Sequence, residues 1–376
     1  MANIYKESGV DYGRLDQFKR AAQYAGSRTN ANIDRLGIRN LAESRGESVA
    51  LFDCGSHYLA HVEEGLGTKN LVADAMRAKE SKIQLPDAKK EKTYYDAIAQ
   101  DTLAMIVNDM VTLGALPVSA AMLLAVGNSD WFDDTKRSGD LAKGWRKACD
   151  LAGCVWSGGE TPAMKGVLMP DACLVSGSAA GIIKPKSKRI KGNIKDGDAI
   201  VFIEASGIHA NGLTLARQIA AKLPQGFFTE IPGTGKNYGE TLLAPTPIYV
   251  KAVEGCQKAG IDIHYAVNIT GHGWRKLMRL DAPFAYIVER LPKQLPIFDF
   301  MQKHGQIPDE EMYADFNMGA GFALYVDKKN AQKVEAIARE LRLTAFEAGH
   351  IESSKTKKVT IKPKNIEYAG KTLQVR

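Results

Sequence analysis

The spacing of apolar and polar positions divides the chain into two halves, each mixing strands with helices. In the first half a polar helical stretch covers 13–41, and strand-like runs follow at 49–54 and 58–62. A lysine-rich segment over 79–92 reads as an exposed loop. The spacing then predicts a long helix over 95–113. Its residues Leu103, Ala104, Met105, Ile106 and Val107 are apolar nearly all round, as in a helix buried on every side. Gly114-Ala-Leu-Pro117 stops it. A strand over 118–125, a helix over 138–152 and strands around Val155 and over 173–183 complete the half. Strict βαβ alternation is absent, which favours an α+β layered fold.

The second half repeats the theme. The apolar run Ala199-Ile-Val-Phe-Ile203 predicts a strand, and a helical pattern covers 213–223. A long loop over 224–240, a helix from about Pro247, a strand ending at Ile269, a strand over 322–326 and a helix over 331–341 follow. The basic, polar segment 184–198 ends in the turn signal Asp196-Gly-Asp198, so domains are placed at 1–183 and 184–376.

Composition narrows the class. The chain has 376 residues, 45% hydrophobic and 25% charged, the make-up of a folded two-domain protein. No apolar run is long enough to cross a membrane, and the first residues lack the apolar core of a signal peptide, so a cytoplasmic protein is expected. The cysteines Cys54, Cys149, Cys154, Cys173 and Cys256 form no CxxC pair, which argues against a zinc knuckle or a disulfide framework. The net charge of +7 is scattered in small clusters. That disfavours nucleic-acid binding and suits an anionic small molecule.

Several segments carry chemistry. Ser206-Gly-Ile-His-Ala-Asn-Gly212 lies where a strand gives way to a helix. Glycines there allow close backbone approach, and the helix start offers unpaired N–H groups to a phosphate, with His209 at hand for proton transfer. The plain alternative is a glycine turn with a helix cap. Glu64-Gly-Leu-Gly-Thr-Lys69 suits a phosphate cradle without Walker A spacing. Asn108-Asp109 and Asp101 place polar groups on the apolar helix, where a carboxylate needs a partner or a hard cation such as Mg²⁺. Asp101 and Asp109 stand two turns apart, roughly 12 Å, too far to share one ion. Ser157-Gly-Gly-Glu-Thr161 and Ile269-Thr-Gly-His-Gly273 are further glycine-rich candidates, and Asp315-Phe-Asn-Met-Gly-Ala-Gly321 reads as a structural turn.

Taken in order, these segments resemble the phosphoribosylformylglycinamidine cyclo-ligase (AIR synthetase) family. The resemblance runs from Tyr5-Lys-Glu-Ser-Gly-Val-Asp11 to Glu347-Ala-Gly-His-Ile351 and includes Leu242-Leu-Ala-Pro-Thr-Pro-Ile-Tyr249, Glu311-Met-Tyr313 and Phe316-Asn-Met-Gly319. It implies an α+β / α/β two-domain fold, with an N-terminal mixed-sheet domain forming a barrel-like homodimer interface and a C-terminal α/β domain. It implies ATP-dependent ring closure of a phosphorylated small molecule in purine synthesis. By position, Glu64 and Asp109 would hold Mg²⁺, with Asp101 nearby as a further metal-site residue. Gly65, Gly67, Thr68, Lys69, Asn108, Glu160 and Thr161 would face ATP. Ser206, Gly207, His209, Asn211, Gly212, Thr270 and Gly271 would face the substrate. His209, Lys69 and Asp109 are the expected catalytic groups.

The chain departs from the family pattern in four places. Glu64 replaces the usual Asp, and Ala42-Glu-Ser-Arg-Gly-Glu47 stands where a glycine-rich stretch is usual. Ala163 replaces a carboxylate, and His272 replaces a second glycine. These changes leave two alternatives open. One is another ATP-using enzyme of the superfamily, thiamine-monophosphate kinase-like or selenophosphate synthetase-like. The other is a nucleotide-binding paralogue without catalysis.

Overall fold

The computed structural model describes residues 12–80 and 92–373. The family-like stretch at 5–11 and most of the lysine-rich segment 79–92 lie outside the described residues.

Strands are numbered β1 to β15 along the chain. The first sheet takes β1 (Arg39–Asn40), β2 (Ala50–Asp53), β3 (Tyr58–Gly65), β4 (Leu116–Val126), β5 (Val155–Glu160) and β6 (Cys173–Ile183), in the order β1-β2-β3-β6-β4-β5. All neighbours are antiparallel except β4 and β5. Helices Tyr95–Met110 and Thr135–Ala152 cover one face. They pack closely because Gly144 meets the backbone of Asp96, where a Cβ would sit 2.5 Å from the Asp96 Cα. On the sheet itself Val118, Val155, Trp156 and Leu174 remain exposed, Val155 at 66%.

The second half holds the hairpin β8 (Glu230–Ile231) and β9 (Lys236–Asn237), inside the segment expected to be an unbroken loop. Its main sheet takes β7 (Ala199–Glu204), β10 (Ile263–Asn268), β11 (Phe284–Val288), β12 (Ala320–Val326), β13 (Ala345–Ser353), β14 (Lys358–Ile361) and β15 (Ile366–Ala369), in the order β10-β12-β7-β13-β11-β14-β15. β7 lies inside this sheet with Ala199 to Ile203 buried, which accounts for a strand apolar on both faces.

Two helical expectations change in detail. The helix expected over 13–41 ends at Ser27, and a 3₁₀ turn Asn30–Leu36 and β1 follow. Gly37, at φ +69, terminates that turn. The helix expected over 95–113 is α-helical to Met110 and tightens into a 3₁₀ turn over Val111–Leu113.

The helix Tyr95–Met110 is buried on most of its surface, Asp96 in its first turn being exposed, because the second half packs on its polar face. Gln100 Nε2 donates to Thr246 O at 2.9 Å, and Asn108 Nδ2 donates to Pro247 O at 2.9 Å. Asn108 Oδ1 accepts from Tyr249 N–H at 2.8 Å. Asp101 Oδ1 accepts from Thr246 N–H at 2.8 Å and from its hydroxyl at 2.5 Å. The other Asp101 oxygen lies 2.7 Å from Lys69 Nζ, with both side chains at 0% exposure, and Lys69 also donates to Ala244 O at 2.9 Å. Burial pushes Asp101 up and Lys69 down, and each is opposed by the other's charge. One dry ion pair of the first half is thus tied to the extended segment 244–249 of the second.

Removing one member strands the other charge. Lys69→Met is expected to lower stability to urea by about 3–5 kcal/mol. Arg146→Met, which breaks an exposed pair with Asp150, should leave the urea midpoint unmoved. Equal effects from the two substitutions would contradict the dry-pair account.

Candidate functional site

Two helical turns beyond the Lys69–Asp101 pair, the same helix presents Asp109 to a cavity of about 630 Å³ between the halves. Phe18, Lys19, Ala22 and Gln23 of helix Tyr12–Ser27 form one wall, and Arg45, Glu47 and Ser48 another. Glu64, from the end of β3, and Asp109 face Asn268, Thr270, Gly271, His272 and Lys276 of the second half.

The electrostatics follow from this meeting. Asp109 is buried, and its Oδ1 accepts from Asn268 Nδ2 at 2.7 Å. Asn268 ends β10, so the sheet fixes its amide. Lys276 Nζ donates to the Asn268 carbonyl at 3.3 Å and to the Thr270 hydroxyl. Glu64 is pushed up to about 7, first by burial and then by the charge of Asp109, with Lys276 opposing. Lys276 is pushed down to about 8, first by burial, while Asp109 and Glu64 hold it up against Arg279 and Lys19. Two carboxylates thus share a partly dry space with the Lys276 ammonium, with Lys19 and Arg279 adding positive charge.

The histidines are kept neutral. His272 occupies a left-handed position at φ 70, and burial, then Arg275 and Lys276, push it down to about 3. His209, 2% exposed and left-handed at φ 61, is pushed down to about 3 by burial and then by Lys69. Its Nε2 has no hydrogen-bond partner among the described residues, and neither has Asn211 Nδ2.

The expected site residues are therefore dispersed. Glu64, Asp109, Asn211, Thr270 and Gly271 line the cavity. Lys69 and Asp101 are turned inward as the ion pair that joins the halves, and neither lines it. Asn108 is spent on Pro247 and Tyr249. Gly65 ends β3, and Gly67 and Thr68 make the turn into helix Lys69–Glu80; all three lie outside the cavity lining. Glu160, which ends the exposed strand β5, and Thr161 beyond it also lie outside that lining. In the 206–212 segment, Ser206 donates to Pro245 O at 2.7 Å, and Gly207 O accepts from Asn317 Nδ2 at 2.9 Å. Gly212, at φ +77, abuts the Phe316 ring, where a Cβ would sit 2.1 Å from a ring carbon. This segment is built into the second half, and Asn211 is its member on the cavity wall.

Sequence reasoning missed Asn268, Lys276, Arg279 and Glu47. Arg279 donates to Ser48 Oγ at 2.7 Å and to Gly46 O at 2.9 Å, while Glu47 accepts from Tyr265 OH at 2.9 Å. These contacts cross more than two hundred residues of sequence, so no local spacing announces them. Asn268, immediately before Ile269-Thr-Gly271, was within reach of motif reading.

The raised Glu64 predicts a pH effect. A carboxyl whose folded pKa is about 7 against an ordinary 4.5 adds stability in full below 4.5 and loses it as pH rises through 7. Glu64→Gln should therefore raise the melting temperature relative to the parent at pH 8 more than at pH 5, measured without divalent cations. An equal shift at both pH values would contradict the assignment.

Comparison with known proteins agrees with this architecture. Residues 81–183 match the model of the AIR synthase related protein N-terminal domain, and residues 195–362 match that of its C-terminal domain. The chain is 32% identical over 375 residues to a phosphoribosylformylglycinamidine cyclo-ligase of Methanococcus maripaludis, covering 98% of each chain. It is 32% identical over 365 residues to the enzyme of that name from Carboxydothermus hydrogenoformans, covering 92% of this chain and 95% of the relative. Among solved structures, HypE in a HypE–HypF complex superposes with a TM-score of 0.56 at 14% identity, covering 86% of this chain and 92% of that one. AaThiL complexed with AMPPCP and TMP superposes with a TM-score of 0.55 at 14% identity, covering 86% and 90%. The structural likenesses show the fold, and the sequence relatives show the branch. The chain belongs to the phosphoribosylformylglycinamidine cyclo-ligase family of AIR synthase related proteins.

Proposed function

We propose that this chain closes the imidazole ring of 5-aminoimidazole ribonucleotide, consuming formylglycinamidine ribonucleotide and ATP and releasing ADP and phosphate, a step of purine biosynthesis. The observation that carries the reading is the meeting of Glu64 and Asp109 with Asn268, Thr270 and Lys276 around one cavity, in a chain whose full-length relatives bear the cyclo-ligase name. The nucleotide-analogue complex of the AaThiL fold relative is consistent with ATP as the phosphoryl donor.

The chemistry is phosphoryl transfer followed by displacement. The formamide oxygen takes the γ-phosphoryl group and becomes a leaving group. The amidine nitrogen attacks the same carbon, the carbon–oxygen bond breaks, and phosphate departs. Positioning and charge stabilisation supply most of the catalysis in such reactions. Glu64 and Asp109 are the residues that fit Mg²⁺. They are two oxygen donors on one cavity, and each raises the cost of the other's charge unless a cation joins them. Bound Mg²⁺ neutralises charge on the nucleotide phosphates. Asn268 orients the Asp109 carboxylate, and Asn211 offers a free amide to substrate. Neutral His272 adds a polar wall without a charge that would compete with Lys276. His209 and the 206–212 turn support the substrate side. Lys69 and Asp101 hold the halves in register.

The same reading takes 1–183 and 184–376 as the two domains and the protein as a cytoplasmic homodimer. No helix among the described residues is long and apolar enough to cross a membrane. The exposed Val118, Val155 and Leu174 give the first sheet an apolar face suited to a second copy of this chain.

Two experiments test these statements. Purified protein given formylglycinamidine ribonucleotide, ATP and Mg²⁺ should form 5-aminoimidazole ribonucleotide. Asp109→Asn should cut turnover by about a hundredfold or more without changing the fold. No product under conditions where a reference cyclo-ligase works would refute the activity. In light scattering the parent should be a dimer and Val155→Glu, at a 66% exposed position of that face, a monomer. A monomeric parent would refute the interface.

A further inference from the structure

Lys276 stands where the carboxylates of one half meet the loop of the other. It lies in the 3₁₀ turn Gly273–Met278, which starts directly after Thr270-Gly-His272. Its ammonium is held by two groups of its own half, the Asn268 carbonyl and the Thr270 hydroxyl. Those bonds fix it independently of the carboxylates it faces. Asn268 is spent twice, its carbonyl on Lys276 and its amide on Asp109. Across the cavity, Asp109 and Glu64 are the two acids whose charges act on Lys276. Arg279 and Lys19 line the same cavity and add positive charge, so the two carboxylates meet a fixed ammonium in a space already rich in cations.

We propose that Lys276 is a charge-setting residue of this site: its ammonium is a built-in counter-ion of the Glu64–Asp109 pair and weakens the hold of that pair on a divalent cation until the cation arrives with nucleotide. The inference rests on the reading of Glu64 and Asp109 as cation ligands and adds to it a residue that sets their affinity. A cation entering the empty pair meets the repulsion of the ammonium. A cation that comes bound to nucleotide phosphates brings negative charge for Lys276 to contact, so the repulsion becomes an attraction. The balance favours the metal–nucleotide complex over the free metal, and the same ammonium then stands beside the transferring phosphoryl group.

Mn²⁺ serves as the probe, with its free concentration read by electron paramagnetic resonance on the full-length, nucleotide-free protein. Lys276→Met and Lys276→Gln should each bind Mn²⁺ about tenfold more tightly than the parent, since they remove a positive charge beside the ligands. Lys276→Gln retains a hydrogen-bonding amide, which guards against a folding failure of Lys276→Met. Lys276→Arg should bind as the parent does. With ATP present, the advantage of the neutral variants should vanish or reverse. Unchanged or weaker Mn²⁺ binding by both neutral variants would overturn the proposal. Asp109→Asn separates the two readings. If it loses Mn²⁺ binding while the Lys276 variants match the parent, the role of Lys276 alone fails. If it binds Mn²⁺ as the parent does, the cation sits elsewhere and both fail.

Discussion

The structure depends on one dry ion pair. Lys69 and Asp101 meet at 2.7 Å with no solvent exposure, and both are bonded to the segment 244–249 of the other half. Burying two charges is costly, and the cost is recovered only where hydrogen bonds complete their shells. Here Ala244 and Thr246 supply them. The pair therefore sets a register: the helix that carries Asp101 can sit against the second half in one way. Asp109, two turns along, then falls opposite Asn268 at hydrogen-bond distance.

That register builds the site from incomplete parts. The first half supplies two carboxylates, which by themselves repel. The second half supplies an amide, a hydroxyl, a left-handed histidine and an ammonium. Burial raises Glu64 to about 7 and lowers His272 to about 3, so the cavity avoids adding histidine charges to its four basic and three acidic lining residues. Such a space suits a ligand that brings both phosphate and a hard cation. It also explains why a polar helix face, which looks wasteful in an otherwise apolar sequence, is spent in full.

Sequence reading succeeded where periodicity or a short motif carried the information. The apolar run 199–203 and the buried helix from Tyr95 follow from spacing alone. The ordered motifs led to the family whose relatives align over nearly the whole chain. What it missed was direction. Lys69, after two glycines, reads as a phosphate ligand, yet its side chain turns inward because Asp101 and Ala244 offer a complete shell there. Glu160 and Thr161 read as cleft residues, yet they belong to the exposed edge strand and the turn after it. Lys276 carried no signal at all, since its partners lie in separate elements and its value comes from the acids across the cavity. Local patterns name residue types, and the tertiary register decides which of them share a space.

Crystals grown with Mn²⁺ and a non-hydrolysable ATP analogue, measured at the manganese absorption edge, test the account most directly. The anomalous peak is expected in the cavity, bound by the carboxylates of Glu64 and Asp109 and the analogue's phosphates. Asp198, His264 and Asp327 form another cluster able to hold a metal, where His264 Nδ1 already lies 2.6 Å from Asp198 Oδ2. A peak there, with none between Glu64 and Asp109, would contradict the assignment of the cavity as the phosphoryl-transfer site.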